Sequence, residues 1–129
     1  MTDSARKIRV LMVEDEGLVG LLLEEMLSEL GYEIAGYAQC IEDALQLAAE
    51  ADYGLAILDV NLNGVTSFPV AEIVRNRKIP LVFATGYQQS NFQLSFQGAP
   101  SVQKPFSKVA LSAAIAAALS CKALDSVRS

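Results

Sequence analysis

The sequence contains no histidine and only two cysteines. Without histidine, the chain has no Ser-His-Asp or Cys-His catalytic group, no histidine metal ligand and no phosphohistidine of its own. Cys40 and Cys121 lie too far apart for a CxxC zinc or redox motif, and lone thiols are typical of a reducing compartment. We therefore expect a cytoplasmic protein whose chemistry depends on Asp, Glu, Lys, Thr and Tyr.

Positive charge and long apolar runs are also scarce. The chain has ten Lys and Arg residues and fifteen Asp and Glu residues, which gives a net charge of −5. Nucleic-acid-binding domains, in contrast, usually carry a basic surface. The longest apolar run, at residues 18–23, is far shorter than the roughly 18–20 residues of a membrane span. The polar residues 1–7 do not resemble a signal peptide. We expect neither a nucleic-acid partner nor a membrane partner.

The length and composition are typical of one globular domain with a core of its own. The chain has 129 residues, of which 52% are hydrophobic and 19% charged, a balance that argues against disorder. We expect a single domain over residues 1–129, with a core at about residues 7–120 and no effector domain.

Short apolar runs alternate with segments of helical periodicity. The predicted strands are 8–13, 32–38, 54–60, 80–85 and 101–104, and the predicted helices are 18–30, 41–51, 68–77 and 107–120. Three of the strands are apolar throughout, which is typical of a parallel sheet covered by helices on both faces. The alternation predicts an α/β fold, a three-layer sandwich around a five-stranded parallel sheet.

Helical stripes and turn residues complete this outline. Leu18, Leu22, Met26 and Leu30 form the apolar stripe of the first helix. A stripe on the last helix is interpreted as core packing: Val109, Leu111, Ala114, Ile115, Ala118 and Leu119. Residues 61–64 have turn chemistry. Residues 88–99 show no helical stripe, so we expect the fourth helix to be short or missing and this segment to act as a switch surface.

Polar side chains occur where the predicted strands end. Glu14 and Asp15 follow the first strand, Asp59 lies at the end of the third, Thr85 ends the fourth and Lys104 ends the fifth. Each alone has a structural explanation, such as an N-cap for the following helix. Because ligands bind beyond the carboxyl ends of parallel strands, their joint occurrence favours a site.

These residue types match phosphoryl transfer. Clustered carboxylates repel one another, and Mg²⁺, which prefers oxygen ligands, relieves that repulsion. An aspartate can attack phosphorus to form an aspartyl phosphate, while a lysine and a hydroxyl hold the phosphoryl oxygens. The sequence predicts a carboxylate that accepts phosphate with metal assistance. Glu16 is interpreted as the cap of the first helix rather than as a metal ligand.

Four motifs resemble the receiver domains of bacterial two-component response regulators over about residues 7–120. They are VEDE at 13–16, LDVNLNG at 58–64, FAT at 83–85 and KPF at 104–106. The resemblance implies the flavodoxin-like strand order 2-1-3-4-5. It also implies that Asp59 is the phosphoacceptor, that Asp15, Asp59 and the backbone carbonyl of Asn61 bind Mg²⁺ directly, and that Glu14 acts through water.

The same resemblance implies that Thr85 and Lys104 hold the phosphoryl group. It also implies a cis Lys104–Pro105 bond, an isomer that is credible only before proline.

VFATGY at 82–87 and LNGVTSFPVA at 62–71 resemble the FAT GUY subgroup, which implies a stand-alone receiver and a histidine kinase of the HWE or related type. Ser101 stands where many receivers have a switching aromatic residue. Tyr87 therefore either replaces that aromatic residue or covers the site.

The leading hypothesis is a single-domain phosphoacceptor that signals by a change of shape or passes phosphate on as a sink, with a downstream phosphorelay protein as a possible partner. It would catalyse only its own phosphorylation and dephosphorylation. An aspartyl-phosphate phosphohydrolase typically needs DxD on the first strand, where this chain has EDE. A flavin carrier would need a hydroxyl-rich loop there instead of three acids. A pseudo-receiver that binds partners without phosphate is the remaining alternative.

Overall fold

The computed structural model describes residues 7–86, Phe96 and residues 98–128, with residues 121–128 described as backbone alone. The main sheet consists of β1 (Arg9–Val13), β2 (Glu33–Ala38), β3 (Leu55–Asp59), β6 (Leu81–Thr85) and β7 (Ser101–Gln103). A separate antiparallel pair consists of β4 (Asn61–Leu62) and β5 (Val65–Thr66). The helices are α1 (Gly17–Glu29), α2 (Ile41–Glu50), α3 (Phe68–Asn76) and α4 (Lys108–Arg128).

All pairs in the main sheet are parallel, and the strands lie in the order β2-β1-β3-β6-β7. Counted along the chain, this is the predicted order 2-1-3-4-5. Alternate residues of each central strand enter two separate cores: Leu11 and Val13 pack with α2 and α3, whereas Val10 and Met12 pack with α1 and α4. The three-layer α/β sandwich is therefore confirmed.

The buried face of α1 differs from the predicted stripe. Gly20, Leu23 and Leu27 are buried, whereas Leu18 and Leu22 of the stripe are 76% and 50% exposed. The prediction was wrong because leucines surround this helix, so periodicity alone does not select a face. Contact with β2 selects it: a side chain at Gly20 would overlap the Tyr37 hydroxyl, so this face sits directly against the tyrosine.

The last helix also departs from its prediction. Leu111, Ala114, Ile115 and Ala118 are buried as expected, but Val109 is 79% exposed. Val109 lies two positions before Leu111, which at about 100° per residue places it on the side of α4 opposite the buried face. The helix continues to Arg128, well past residue 120, and residues 121–128 contain no glycine or proline, the two residues that most disfavour a helix.

The predicted turn at 61–64 is the centre of a β-hairpin. Asn61 pairs with Thr66, and Leu62 pairs with Val65. Asn63 and Gly64 between them have φ values of 51° and 90°. A two-residue loop with positive φ at both positions is a type I′ turn, for which Asn-Gly is the preferred sequence.

Phe96 anchors the connection between β6 and β7. Its ring stacks on Phe68 at a centroid distance of 5.5 Å and meets the edge of Phe83 at 5.5 Å. The Arg75 guanidinium lies 4.3 Å from the centre of the same ring. The expectations for Tyr87 and for a short or missing fourth helix fall mostly on residues outside those that the structure describes.

In the part of the chain that the structure covers, no helix has both the length and the apolar character that a membrane crossing requires.

Arg77 caps α2 from the end of α3. Its Nη1 donates to the carbonyl oxygens of Ala48 and Ala51, at 2.8 and 3.0 Å, and the guanidinium lies 4.9 Å from the Tyr53 ring centre. The Tyr53 hydroxyl also donates to the Ala48 oxygen, at 2.7 Å. The last carbonyl groups of a helix have no partner within it, so these side chains satisfy one of them, that of Ala48, and also the carbonyl of Ala51 just after the helix.

We expect Arg77→Met to lower the free energy of unfolding by about 1–3 kcal/mol, because two hydrogen bonds from a charged donor are lost while the aliphatic stem is kept. Arg77→Lys keeps the charge without the forked donor, so we expect a smaller loss. Urea denaturation measures both. Equal stability of Arg77→Met and the unsubstituted protein would contradict the capping role.

Candidate functional site

The sheet brings the five predicted side chains to one edge. Glu14 and Asp15 directly follow β1, Asp59 ends β3, Thr85 ends β6 and Lys104 directly follows β7. These four strands are consecutive neighbours in the sheet and run parallel, so their carboxyl ends meet. The side chains of Glu14, Asp59 and Thr85 are buried there.

The Lys104 ammonium group lies at the centre of this site. Its Nζ is 2.9 Å from Asp59 Oδ2 and 2.9 and 3.1 Å from the two carboxylate oxygens of Glu14. The backbone N–H of Lys104 donates to the Thr85 carbonyl at 2.8 Å, which holds the start of the side chain against β6. The Lys104 ammonium, which follows β7, therefore contacts carboxylates at the ends of β1 and β3.

Burial and mutual charge govern the protonation of these groups. Burial raises the pKa of Glu14 to about 7 against the opposing hydrogen bond from Lys104, and the negative charge of Asp59 adds to the rise. Burial likewise raises the pKa of Asp59. Burial disfavours the charged form of Lys104, but its hydrogen bonds to both carboxylates outweigh burial and raise the pKa of Lys104, so the ammonium stays charged at neutral pH.

The donor set fits Mg²⁺. Glu14, Asp15 and Asp59 each offer a carboxylate oxygen, and these atoms all lie within 4.8 Å of one another. Oxygen ligands of this kind, one or two of them carboxylates, are what Mg²⁺ takes from proteins, together with waters and phosphate oxygens. The Asn61 N–H donates to Asp59 Oδ1 at 3.3 Å, which places Asn61 beside the cluster. The role of its carbonyl group as a ligand stays a prediction.

Glu16 does not act as predicted. It occupies the N-cap position of α1 but makes no side-chain cap hydrogen bond. Its Oε1 lies 3.7 Å from Lys104 Nζ, and its N–H donates to Glu14 Oε2 at 3.1 Å. Attraction to the ammonium thus competes with capping for this carboxylate. The peptide bond between Lys104 and Pro105 is cis, the isomer that the resemblance implies.

Two residues beside the site were missed in the sequence. The Asn63 N–H donates to Asp15 Oδ2 at 2.9 Å, and the Asn63 side-chain amide donates to the Gln39 carbonyl at 3.4 Å. The predicted turn at 61–64 contains the Asn-Gly dipeptide, which is a strong hairpin signal. Nothing in the sequence pairs that turn with Asp15, since the two lie 48 positions apart.

Comparison with known proteins places the chain in a family. A family model of the response regulator receiver domain matches residues 10–116. The transcriptional regulatory protein PdtaR of Mycobacterium tuberculosis is 36% identical over 124 residues, which are 92% of this chain and 60% of PdtaR. The chain thus spans less than two thirds of that relative's length.

Solved structures extend the likeness. SdrG from Sphingomonas melonis is 38% identical, with 88% of this chain and 97% of SdrG covered and a TM-score of 0.79. A BeF3-activated conformation of SdrG is 39% identical over 84% and 93% of the two chains, with a TM-score of 0.73. The receiver domain of PhyR from Erythrobacter litoralis is 29% identical, with 90% and 92% covered and a TM-score of 0.75.

The likeness to SdrG and PhyR agrees with the FAT GUY resemblance of residues 62–71 and 82–87. Receiver domains of this kind act in two-component signalling, where they interact with histidine kinases and generally bind Mg²⁺ through acidic residues. The family model covers most of the chain, and the parallel sheet has the order expected for the fold. The chain belongs to the response regulator receiver domain family.

Proposed function

We propose that this receiver accepts a phosphoryl group on Asp59 from the phosphohistidine of a sensor histidine kinase, with Mg²⁺ bound at Glu14, Asp15 and Asp59. The observation that carries the proposal is the Lys104 ammonium 2.9 Å from both Asp59 and Glu14. A lysine at this position, whose side chain is 16% exposed, can offset part of the charge of the resting carboxylates and then hold the phosphoryl oxygens. Such positioning and charge stabilisation supply most of the catalysis of phosphoryl transfer.

In the proposed step, a carboxylate oxygen of Asp59 attacks the phosphorus of the phosphohistidine. A bond forms between that oxygen and phosphorus while the bond between phosphorus and the imidazole nitrogen breaks. The electron pair leaves with the imidazole, which takes up a proton. Bound Mg²⁺ would supply positive charge to the equatorial phosphoryl oxygens. The acyl phosphate then offers those oxygens to Lys104 and to the Thr85 hydroxyl.

Phosphorylation would alter the partners of Lys104. The resting ammonium divides its hydrogen bonds between Glu14 and Asp59, whereas a phosphoryl group on Asp59 presents more negative charge and three acceptor oxygens. Lys104 leads directly from β7, and Thr85 ends β6. The connection between these strands is therefore where we expect the change of shape, with Tyr87 as part of it.

The partner proposed is a cytoplasmic kinase domain of the HWE or related type, as the FAT GUY resemblance implies. The receiver would act as a single-domain switch or as a phosphate sink toward a downstream phosphorelay protein, and it would have no external substrate. SdrG, which has a BeF3-activated conformation, supports this proposal because BeF3 is an analogue of a phosphoryl group.

A phosphate-independent binding module is the second candidate. The resting carboxylates already have a cation of their own, because Lys104 contacts Glu14 and Asp59 directly. Such a pairing does not require a phosphoryl group, and the likeness to SdrG and PhyR fits this candidate as well. Labelling with a small phosphodonor separates the two functions.

Asp59→Asn tests the phosphoacceptor. Incubation with acetyl phosphate and Mg²⁺ should add one base-labile phosphoryl group to the unsubstituted protein and none to the variant, because an amide is not a nucleophile toward phosphorus. Intact-mass spectrometry measures the adduct, and circular dichroism checks the fold. Asp52→Asn is the matched control, since the Asp52 side chain is 96% exposed and precedes β3, at the end of the strand opposite to Asp59. Equal labelling of Asp59→Asn and Asp52→Asn would refute the assignment.

Asp15→Asn tests the metal site. We expect Mg²⁺ to raise the melting temperature of the unsubstituted protein, because a ligand that binds only the folded state stabilises by about 2.7 kcal/mol at 100 times its dissociation constant. The variant lacks one charged ligand and should lose most of the rise. Differential scanning calorimetry at constant ionic strength measures it. An equal rise in both proteins would count against the site.

Glu14→Gln tests the electrostatics without metal. The pKa of Glu14 is about 7 in the folded protein, above its ordinary value of 4.5. Its contribution to stability is therefore present below about pH 4.5 and is lost as the pH rises through 7, by up to about 3 kcal/mol. In EDTA, the stability of Glu14→Gln relative to the unsubstituted protein should rise across this range. A difference that does not change with pH would contradict the raised pKa.

A further inference from the structure

The hairpin Asn61–Thr66 places a backbone N–H donor beside Asp15, one of the three clustered carboxylates. Leu62 and Val65 are the last pair of its ladder, and in a two-residue hairpin the closing hydrogen bonds join that pair. The N–H of the first turn residue, Asn63, lies outside the ladder. It donates instead to Asp15 Oδ2 at 2.9 Å.

The turn is held on both sides of this hydrogen bond. Leu62 is fully buried in the core that contains Phe68 and Phe83, so the base of the hairpin is fixed to the sheet. The Asn63 side-chain amide donates to the Gln39 carbonyl at 3.4 Å, which ties the tip to the loop after β2. Asp15, in contrast, is only half-buried. Asn63 itself is exposed, so the position of its N–H depends on these two attachments of the hairpin.

We propose that the Asn63 N–H is a positioning group for Mg²⁺: it holds Oδ2 of Asp15 so that the other carboxylate oxygen is left for the metal. This inference rests on the proposed function, which includes Mg²⁺ at Asp15. Hydrogen-bond donors that orient a metal ligand typically change metal affinity by about 10- to 100-fold. The positive φ of Asn63 belongs to the backbone conformation in which its N–H points at Asp15. We therefore expect Mg²⁺ affinity to depend more on the backbone conformation of residue 63 than on its side chain.

Two substitutions separate the backbone from the side chain. Asn63→Gly keeps the N–H and readily adopts the φ of 51°, but it loses the contact with Gln39. Asn63→Val disfavours this conformation because β-branched residues rarely have positive φ, so the N–H should turn away from Asp15. Isothermal titration of each metal-free protein with Mg²⁺ measures the affinity.

We expect Asn63→Gly to bind Mg²⁺ within about twofold of the unsubstituted protein and Asn63→Val to bind at least about tenfold more weakly. Equal affinity in all three proteins would overturn the positioning role, as would equal weakening in both variants, which would assign the effect to the side chain. If the unsubstituted protein bound no Mg²⁺, the proposed metal site itself would fail and this role with it.

Hydrogen exchange tests the contact without metal and without changing the hairpin. Replacing the acceptor by Asp15→Ala should speed exchange of the Asn63 amide by about tenfold. The Val65 amide within the ladder should exchange at an unchanged rate, which shows that the hairpin remains folded. Unchanged exchange at Asn63 would overturn the proposal even if Asn63→Val failed to fold.

Discussion

The contact of one ammonium group with two buried carboxylates is the interaction on which the rest of this site depends. Lys104 lies 2.9 Å from Asp59 and from Glu14, and both carboxylates are almost inaccessible to water. Two unpaired carboxylates at such depth would each carry a large desolvation cost. The parallel sheet makes the pairing possible, because it ends β1, β3 and β7 at the same edge. Fold and site are thus coupled through a single cation.

The pairing leaves the resting site short of positive charge. The ammonium faces Glu14 and Asp59 closely and Glu16 at 3.7 Å, with Asp15 also in the cluster. Burial is the main cause of the raised pKa of Glu14, and the negative charge of Asp59 adds to the rise against the opposing effect of Lys104. A divalent cation would add positive charge to the site. A phosphoryl group on Asp59 would then be attracted both to that cation and to the Lys104 ammonium. The same imbalance would favour both the proposed Mg²⁺ binding and the proposed response to phosphorylation.

Local patterns predicted much of the fold. Apolar strands and the order of elements were sufficient for the three-layer sandwich, because nearly continuous apolar runs are typical of strands buried on both faces of a parallel sheet. The buried face of α1 was not predictable in this way. Leu18 and Leu22 are as apolar as the buried Leu23 and Leu27, and the choice between them depends on the contact of Gly20 with Tyr37, a residue of another strand.

The sequence by itself determined which residues have the chemistry: the acids after β1, Asp59, Thr85 and Lys104 are recognisable from their type and their places at strand ends. It also contained the type I′ turn, in the dipeptide Asn63-Gly64. Tertiary structure decided which of these groups meet. Lys104 joins Glu14 across 90 positions, and Asn63 joins Asp15 across 48. The physical reason is that a hydrogen bond depends on distance and direction in space, and these arise only when the sheet has assembled.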